Sequence, residues 1–191
     1  MKKLAVFASG NGSNFEAIAK FKNRVYQVEL LICDNKGALA IKRAIKHKIP
    51  YFVFNPSDYD CKDSFEQSII KVLQAYNIDF IALAGYMRLI GKTLLEAYKM
   101  RIVNIHPSLL PAFPGLNAIE KAVNYNVKVT GVTVHYVDQG MDTGRIIAQR
   151  SIKVKHKSAQ ILEKTIHKIE HRLYKRVLSK IIRRLEDESI N

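Results

Sequence analysis

Asn104 and His106 stand two apart near the end of Arg101-Ile-Val-Asn-Ile-His, a β-branched run that reads as a strand. On a strand, side chains two apart share one face. One of these supplies a neutral amide donor, the other a donor that titrates near neutral pH. Together they suit an oxygen that gains negative charge during a reaction. The following Pro-Ser-Leu-Leu-Pro-Ala-Phe-Pro-Gly115 holds three prolines and a glycine within nine residues. Proline fixes its own φ and restricts the residue before it, so this stretch reads as a rigid, irregular loop. Open α/β sheets carry their chemistry on such loops at the carboxyl ends of strands. A lone histidine there is more often a satisfied strand end; the Asn–His spacing is what favours chemistry.

A second candidate lies near the start. Lys3–Ala8 reads as a short apolar strand, then Ser9-Gly-Asn-Gly-Ser-Asn14 as a turn, then a helix from Phe15 to about Lys22. Glycines at a strand-to-helix turn let backbone N–H groups converge on an anion at the helix N-terminus. Ser13 and Asn14 are able to cap that helix or to bind the anion themselves. The dinucleotide pattern G-x-G-x-x-G is only partly met, because Phe15 stands at the third glycine, and this favours one phosphate over a pyrophosphate. Asp34, at the end of the second strand, is placed to imitate the acidic ribose ligand of that pattern.

Two further stretches invite chemistry and have bland alternatives. Gly85-Tyr-Met-Arg-Leu-Ile90, after an apolar strand, walls a flat aromatic ligand or is core with one exposed charge. Asp142, in Gln139-Gly-Met-Asp-Thr-Gly144, is a functional carboxylate on a strained loop or an ordinary turn residue. His167-Lys-Ile-Glu-His171 matches the inverted zinc-protease pattern H-x-x-E-H. Such a site needs a third protein ligand. The acids downstream lie near a helix end that should fray, so no metal is expected.

The elements that must position these groups alternate between strand and helix. After the first pair come strand Tyr26–Cys33, helix Leu39–His47, strand Tyr51–Phe54 and helix Cys61–Tyr76, with Phe65, Ile69, Ile70 and Leu73 on one side. Strand Asp79–Ala84 is apolar enough for burial in a parallel sheet. Beyond the proline-rich loop, Leu116–Tyr125 reads as a helix, and Val127–Asp138 as a long strand with Thr130, Val132, Val134 and Tyr136 on one face. Val129, Thr133, His135 and Val137 take the other face. A six-residue turn to strand Arg145–Val154 makes those two strands antiparallel neighbours. A last helix, about Ser158 to Leu185, carries Leu162, Ile166, Ile169, Leu173, Val177, Leu178, Ile181 and Leu185 as its apolar stripe, with Ser158 as N-cap. The expected fold is α/β: an open, mostly parallel Rossmann-like sheet flanked by helices, with an antiparallel strand pair in the C-terminal half.

Composition bounds the class. The 191 residues, 48% hydrophobic and 25% charged, suit one globular domain spanning residues 1–191. No apolar run approaches the roughly 18 residues of a membrane span, and the start runs directly into a strand, so no membrane partner is expected. Cys33 and Cys61 make a poor disulfide framework, and a reduced cytoplasm is the expected setting. The net charge of +14 is spread over most helices without interleaved aromatics, which reads as solvated lysine-rich faces rather than a nucleic-acid surface. It also suits an anionic small substrate. Oligomeric state is not legible.

Asn104-x-His106-x-Ser108-Leu-Leu-Pro111, with Asp142 in Asp138-x-Gly-x-Asp-x-Gly-x-Ile-Ile-x-Gln149, resembles the formyltransferases that use 10-formyltetrahydrofolate. Ser9-Gly-Asn-Gly-Ser-Asn14 and Leu83-Ala-Gly-Tyr-Met-Arg88 resemble, within them, the phosphoribosylglycinamide formyltransferases of purine synthesis. The resemblance runs from about residue 3 to 180, four motifs in order. It implies catalytic roles for Asn104, His106 and Asp142. It implies substrate binding by Asn11, Gly12, Ser13 and Asn14 at the phosphate, and by Gly85, Pro107 and Glu170, with Glu170 at the glycinamide amine. It implies a folate pocket of Met87, Arg88, Leu89, Ile90, Val137, Asp138, Gly140 and Met141, with 10-formyltetrahydrofolate as cosubstrate and no metal. His167 stands where the family carries glutamine. On this resemblance residues 1–100 form a nucleotide-phosphate-binding half and residues 101–191 a catalytic and folate-loop half. Alternatives are another formyltransferase or hydrolase using the same folate, or a basic nucleic-acid-binding module. A methionyl-tRNA formyltransferase would add a C-terminal RNA-binding domain and a formyltetrahydrofolate deformylase an N-terminal regulatory one; the sequence reads as having neither.

Overall fold

The computed structural model describes residues 1–22, 25–154 and 158–188, the last four by backbone alone. Strands β1 (Lys2–Phe7), β2 (Tyr26–Cys33), β3 (Tyr51–Val53), β4 (Phe80–Leu83), β5 (Ile102–His106), β6 (Val129–Tyr136) and β7 (Ile146–Lys153) form one seven-stranded sheet in the order β3-β2-β1-β4-β5-β6-β7. Pairing is parallel from β3 to β5 and antiparallel for β5–β6 and β6–β7. Helices α1 (Ser13–Ala19), α2 (Leu39–Lys46), α3 (Lys62–Ala75), α4 (Lys92–Ala97), α5 (Ala118–Asn124) and α6 (Ala159–Glu188) flank it. The expected fold class is the observed one.

Alternation along the strands builds two cores. Leu4 and Val6 of β1, with Val103 and Ile105 of β5, pack on one face with Phe15, Ile18, Leu162, Ile166 and Tyr174. Ala5 and Phe7 of β1, with Ile102 of β5, pack on the other with Phe65, Ile69, Leu73 and Leu94. A strand apolar on both faces is the signature of a parallel sheet covered on both sides. Tyr174 ties these layers to the strands: its hydroxyl lies 2.9 Å from the carbonyls of both Leu83 and Val103 and shares its hydrogen between them.

Several boundaries differ from the sequence reading. Helix α1 starts two residues before Phe15, because Gly12 takes the left-handed conformation (φ 71°) and becomes the N-cap, and it ends at Ala19 with Lys20 as C-cap. Ser13 and Asn14 therefore sit in the first turn and neither caps the helix. Ser158 does cap α6, its hydroxyl accepting from the N–H of Ile161 at 3.4 Å. The buried face of α6 includes Glu170, Tyr174 and Ile182 besides the expected stripe, and the side chain of Leu185 lies outside the described residues. Helix α4 was not expected. It carries no capping side chain of its own; the buried Glu66 of α3 accepts from the N–H groups of Gly91 and Leu94 instead.

Candidate active site

The sheet order reverses between β1 and β4, and open α/β sheets bind ligands at the crevice where this happens. A cleft of about 450 Å³ opens there. Asn14 after β1, Gly85–Ile90 after β4, Asn104, His106 and Pro107 of β5 and its loop, and Val137, Asp138, Gly140, Met141 and Asp142 of the β6–β7 turn line it, with Glu170 of α6. Asn11, Gly12 and Ser13 do not line it but immediately precede Asn14. Leu116, His135 and His167 also line the cleft.

Asp142 is the meeting point. Its side chain is 12% exposed, and its Oδ2 lies 3.3 Å from Nδ1 of His106. The N–H of Gly115 donates to the same oxygen at 2.8 Å. Its Oδ1 accepts from the Asn104 amide at 3.3 Å and lies 3.5 Å from Nε2 of His135. Burial alone would raise the Asp142 pKa. The hydrogen bonds from His135 and Gly115 and the charges of His106 and His135 outweigh burial and bring it to about 2. Asp142 also has φ 57°, a strained conformation for a residue with a side chain.

Both nitrogens of the His106 ring face acceptors, since Nε2 donates to the carbonyl of Phe113 at 2.8 Å while Nδ1 faces Asp142. A doubly protonated ring satisfies both. His135 shows a different pattern. Its Nδ1 donates to the carbonyl of Tyr136 at 2.8 Å, and its Nε2 lies between Oδ1 of Asp142 at 3.5 Å and the Asn104 amide at 3.3 Å.

His135 escaped the sequence reading as a site residue. The signal is the register: Asn104 pairs directly with His135 across β5 and β6, so the two side chains share a face. Thr133 and Gln149 escaped too. The Thr133 hydroxyl donates to the Ser108 carbonyl at 2.7 Å and accepts from the N–H of Leu110 at 3.1 Å, and Gln149 donates to the Leu110 carbonyl at 2.9 Å. They clamp the proline-rich loop, which contains a cis Leu110–Pro111 bond.

At the β1 end, the Asn14 amide donates to Oε2 of Glu170 at 3.0 Å, while its own Oδ1 is buried with no hydrogen-bond partner. Arg43 of α2 donates to the carbonyl of Asn11 at 2.8 Å and to its side-chain oxygen at 2.9 Å, holding the glycine turn. Asp34 is engaged elsewhere: its Oδ2 accepts from Arg88 at 2.8 Å. The opposite wall is apolar and open, with Met87, Leu89, Leu116 and Met141 each more than half exposed. Asp138 accepts from the N–H of Gly140 and the hydroxyl of Thr143, so it shapes the turn. Among the described residues no group of three His, Cys, Asp or Glu side chains is arranged to hold a metal ion, and none of their helices is long and apolar enough to cross a membrane.

A family profile described as Formyl transferase matches residues 2–178. With this fold and cleft, the chain belongs to the formyl transferase family of enzymes. It is 54% identical over 186 residues to the phosphoribosylglycinamide formyltransferase of Bacillus subtilis, covering 95% of both chains. It resembles the crystal structure of glycinamide ribonucleotide transformylase 1 from Geobacillus kaustophilus at TM-score 0.92 and 55% identity, covering 95% of this chain and 99% of that one. The phosphoribosylglycinamide formyltransferase structure from Bacillus halodurans matches at TM-score 0.92 and 50% identity, with 95% of each chain covered.

Proposed function

We propose that this enzyme transfers the formyl group of 10-formyltetrahydrofolate to the amine of 5-phosphoribosylglycinamide, a step of purine synthesis. One observation carries the reading: Asn104, His106 and Asp142 converge in a cleft flanked by an apolar wall and by the glycine turn with Asn14 and Glu170. The exposed methionines and leucines suit a flat pteridine ring. The unsatisfied Asn14 oxygen suits a hydroxyl or amine of the nucleotide. The turn around Gly12, braced by Arg43, suits its phosphate.

The cosubstrate supplies a formyl carbon bonded to nitrogen. The amine nitrogen bonds to that carbon, the carbon–folate nitrogen bond breaks, and one proton passes from the amine to the folate nitrogen. Asn104 and His106 donate to the formyl oxygen as it gains negative charge, and each such donor is worth roughly 3–4 kcal/mol. The Phe113 carbonyl holds Nε2 of His106, so the working donor is Nδ1, shared between Asp142 and the reacting oxygen. Asp142, ionised at neutral pH, orients the His106 ring through Nδ1 and takes part through a water in moving the proton. Glu170 accepts from the substrate amine.

The test is turnover. Incubation with 5-phosphoribosylglycinamide and 10-formyltetrahydrofolate should release deformylated folate and yield formylated nucleotide in equal amounts. Folate deformylation at the same rate without the nucleotide would replace transfer by hydrolysis.

A further inference from the structure

His167 donates from Nδ1 to Oε2 of Glu170 at 2.8 Å, and its Nε2 lies 3.5 Å from a carboxylate oxygen of Glu163. Both ring nitrogens thus face carboxylates, which a charged imidazolium satisfies and a neutral ring does not. Glu170 is 4% exposed, whereas the His167 side chain is 42% exposed and opens to the cleft. We infer that His167 is a positioning residue that cancels the charge of Glu170, so that an amine held by Glu170 stays neutral and nucleophilic. This rests on the reading of Glu170 as the partner of the substrate amine.

The physical argument is electrostatic. A buried carboxylate within hydrogen-bonding distance of an amine stabilises the ammonium form, which has no lone pair to attack with. Burial makes that effect stronger than it would be in water. A cation on the far side of the carboxylate offsets it. Both the Asn14 and the His167 contacts fall on Oε2, leaving Oε1 for a donor from the cleft.

Among the described residues, His167 is the titratable group paired with Glu170, 2.8 Å from its Oε2. The Glu170 hydrogen bond, with the charges of both glutamates, holds the His167 pKa above its ordinary value against the opposing pull of burial. On the same helix His171, its ring 6.3 Å away, is pushed toward the neutral form chiefly by burial. From α1 come the uncharged Asn14 amide, which donates to Glu170, and Glu16, which is paired with Lys20, Arg43 and His47. From α2, Arg43 is committed to Glu16 and Asn11. Helix α5 brings Glu120 and Lys121, and the Lys121 ammonium donates to the Pro114 carbonyl at 3.2 Å.

The test is the pH dependence of single-turnover formyl transfer with saturating substrates, together with nucleotide KM. The rate should rise with pH as the bound amine loses its proton. His167→Gln keeps a donor but removes the charge, so the midpoint of that rise should move up by about one pH unit. A uniform loss of rate at every pH with an unmoved midpoint means a merely structural role and overturns the inference. In a Glu170→Gln background, adding His167→Gln should move the midpoint no further; an equal shift there also overturns it. The two readings fail separately. A wild-type nucleotide KM in Glu170→Gln removes the amine assignment itself. A raised KM there with a wild-type midpoint in His167→Gln removes only the role of His167.

Discussion

The Oδ2 of Asp142 lies 3.3 Å from Nδ1 of His106 because β6 returns antiparallel beside β5 and its turn folds over the Asn104 face. Groups joined in this way should act as one unit. His106→Ala and Asp142→Ala should each lower kcat by about 100-fold or more. The double variant should be little worse than the poorer single one, since losses within a unit do not add. Near-full kcat in either folded single variant would remove the mechanism.

Asp142 should also leave a mark on stability. Its folded pKa is about 2, below the ordinary 3.8. A depressed carboxyl contributes stability that is present above the unfolded pKa and lost as pH falls through the folded one, here from about pH 4 down to about pH 2. The shift corresponds to about 2 kcal/mol. Urea unfolding of wild type and Asp142→Asn should differ by about that amount near neutrality, and the difference should shrink across this window. A difference constant with pH would mean that the carboxylate's partners do not stabilise its charge.

The parts of the fold written in local pattern were legible. Strands β1, β2 and β4 are short apolar runs, and the β6–β7 hairpin follows from two β-branched stretches with a glycine-rich turn between them. What escaped depends on partners distant in sequence. Helix α4 has no cap of its own because Glu66 reaches over from α3. Asn104, His106 and Asp142 could be singled out by residue type, whereas His135 becomes a neighbour of Asn104 only once the β5–β6 register is known. The H-x-x-E-H string matches a zinc pattern by spacing alone, without the third ligand such a site needs; in the fold His167 donates to Glu170, and Glu170 accepts from Asn14.

Tyr174 illustrates the same dependence with a measurable cost. The side chain is fully buried, and its hydroxyl serves the carbonyls of Leu83, the last residue of β4, and of Val103, the second of β5. Removing one partner of a buried hydrogen bond leaves the other undersatisfied. Tyr174→Phe should therefore cost about 1–2 kcal/mol in chemical denaturation. An unchanged midpoint and slope would show that the carbonyls are content with their ladder partners.

The glycine turn offers the sharpest contrast, because two glycines two residues apart have different reasons to be there. A Cβ at Gly10 would meet nothing within 4 Å. A Cβ at Gly12 would stand 2.7 Å from the Cα and Cβ of Ala40, on a backbone with φ 71°. The turn is already pinned to α2 by the Ala40 N–H donating to the Gly10 carbonyl at 3.1 Å and by Arg43 on Asn11. A side chain at Gly12 must therefore push α2 and the turn apart, and it opposes the left-handed conformation as well. Gly10→Ala should leave the thermal midpoint close to wild type, while Gly12→Val should lower it. If the turn holds the nucleotide phosphate, Gly12→Val assayed below its own midpoint should raise the nucleotide KM about tenfold or more, the loss of one or two charge-assisted hydrogen bonds. The folate KM should move far less, since Met87, Leu89 and Met141 lie on the other side of the cleft. Equal rises in both constants would mean that Gly12 supports the whole cleft and that the phosphate is held elsewhere.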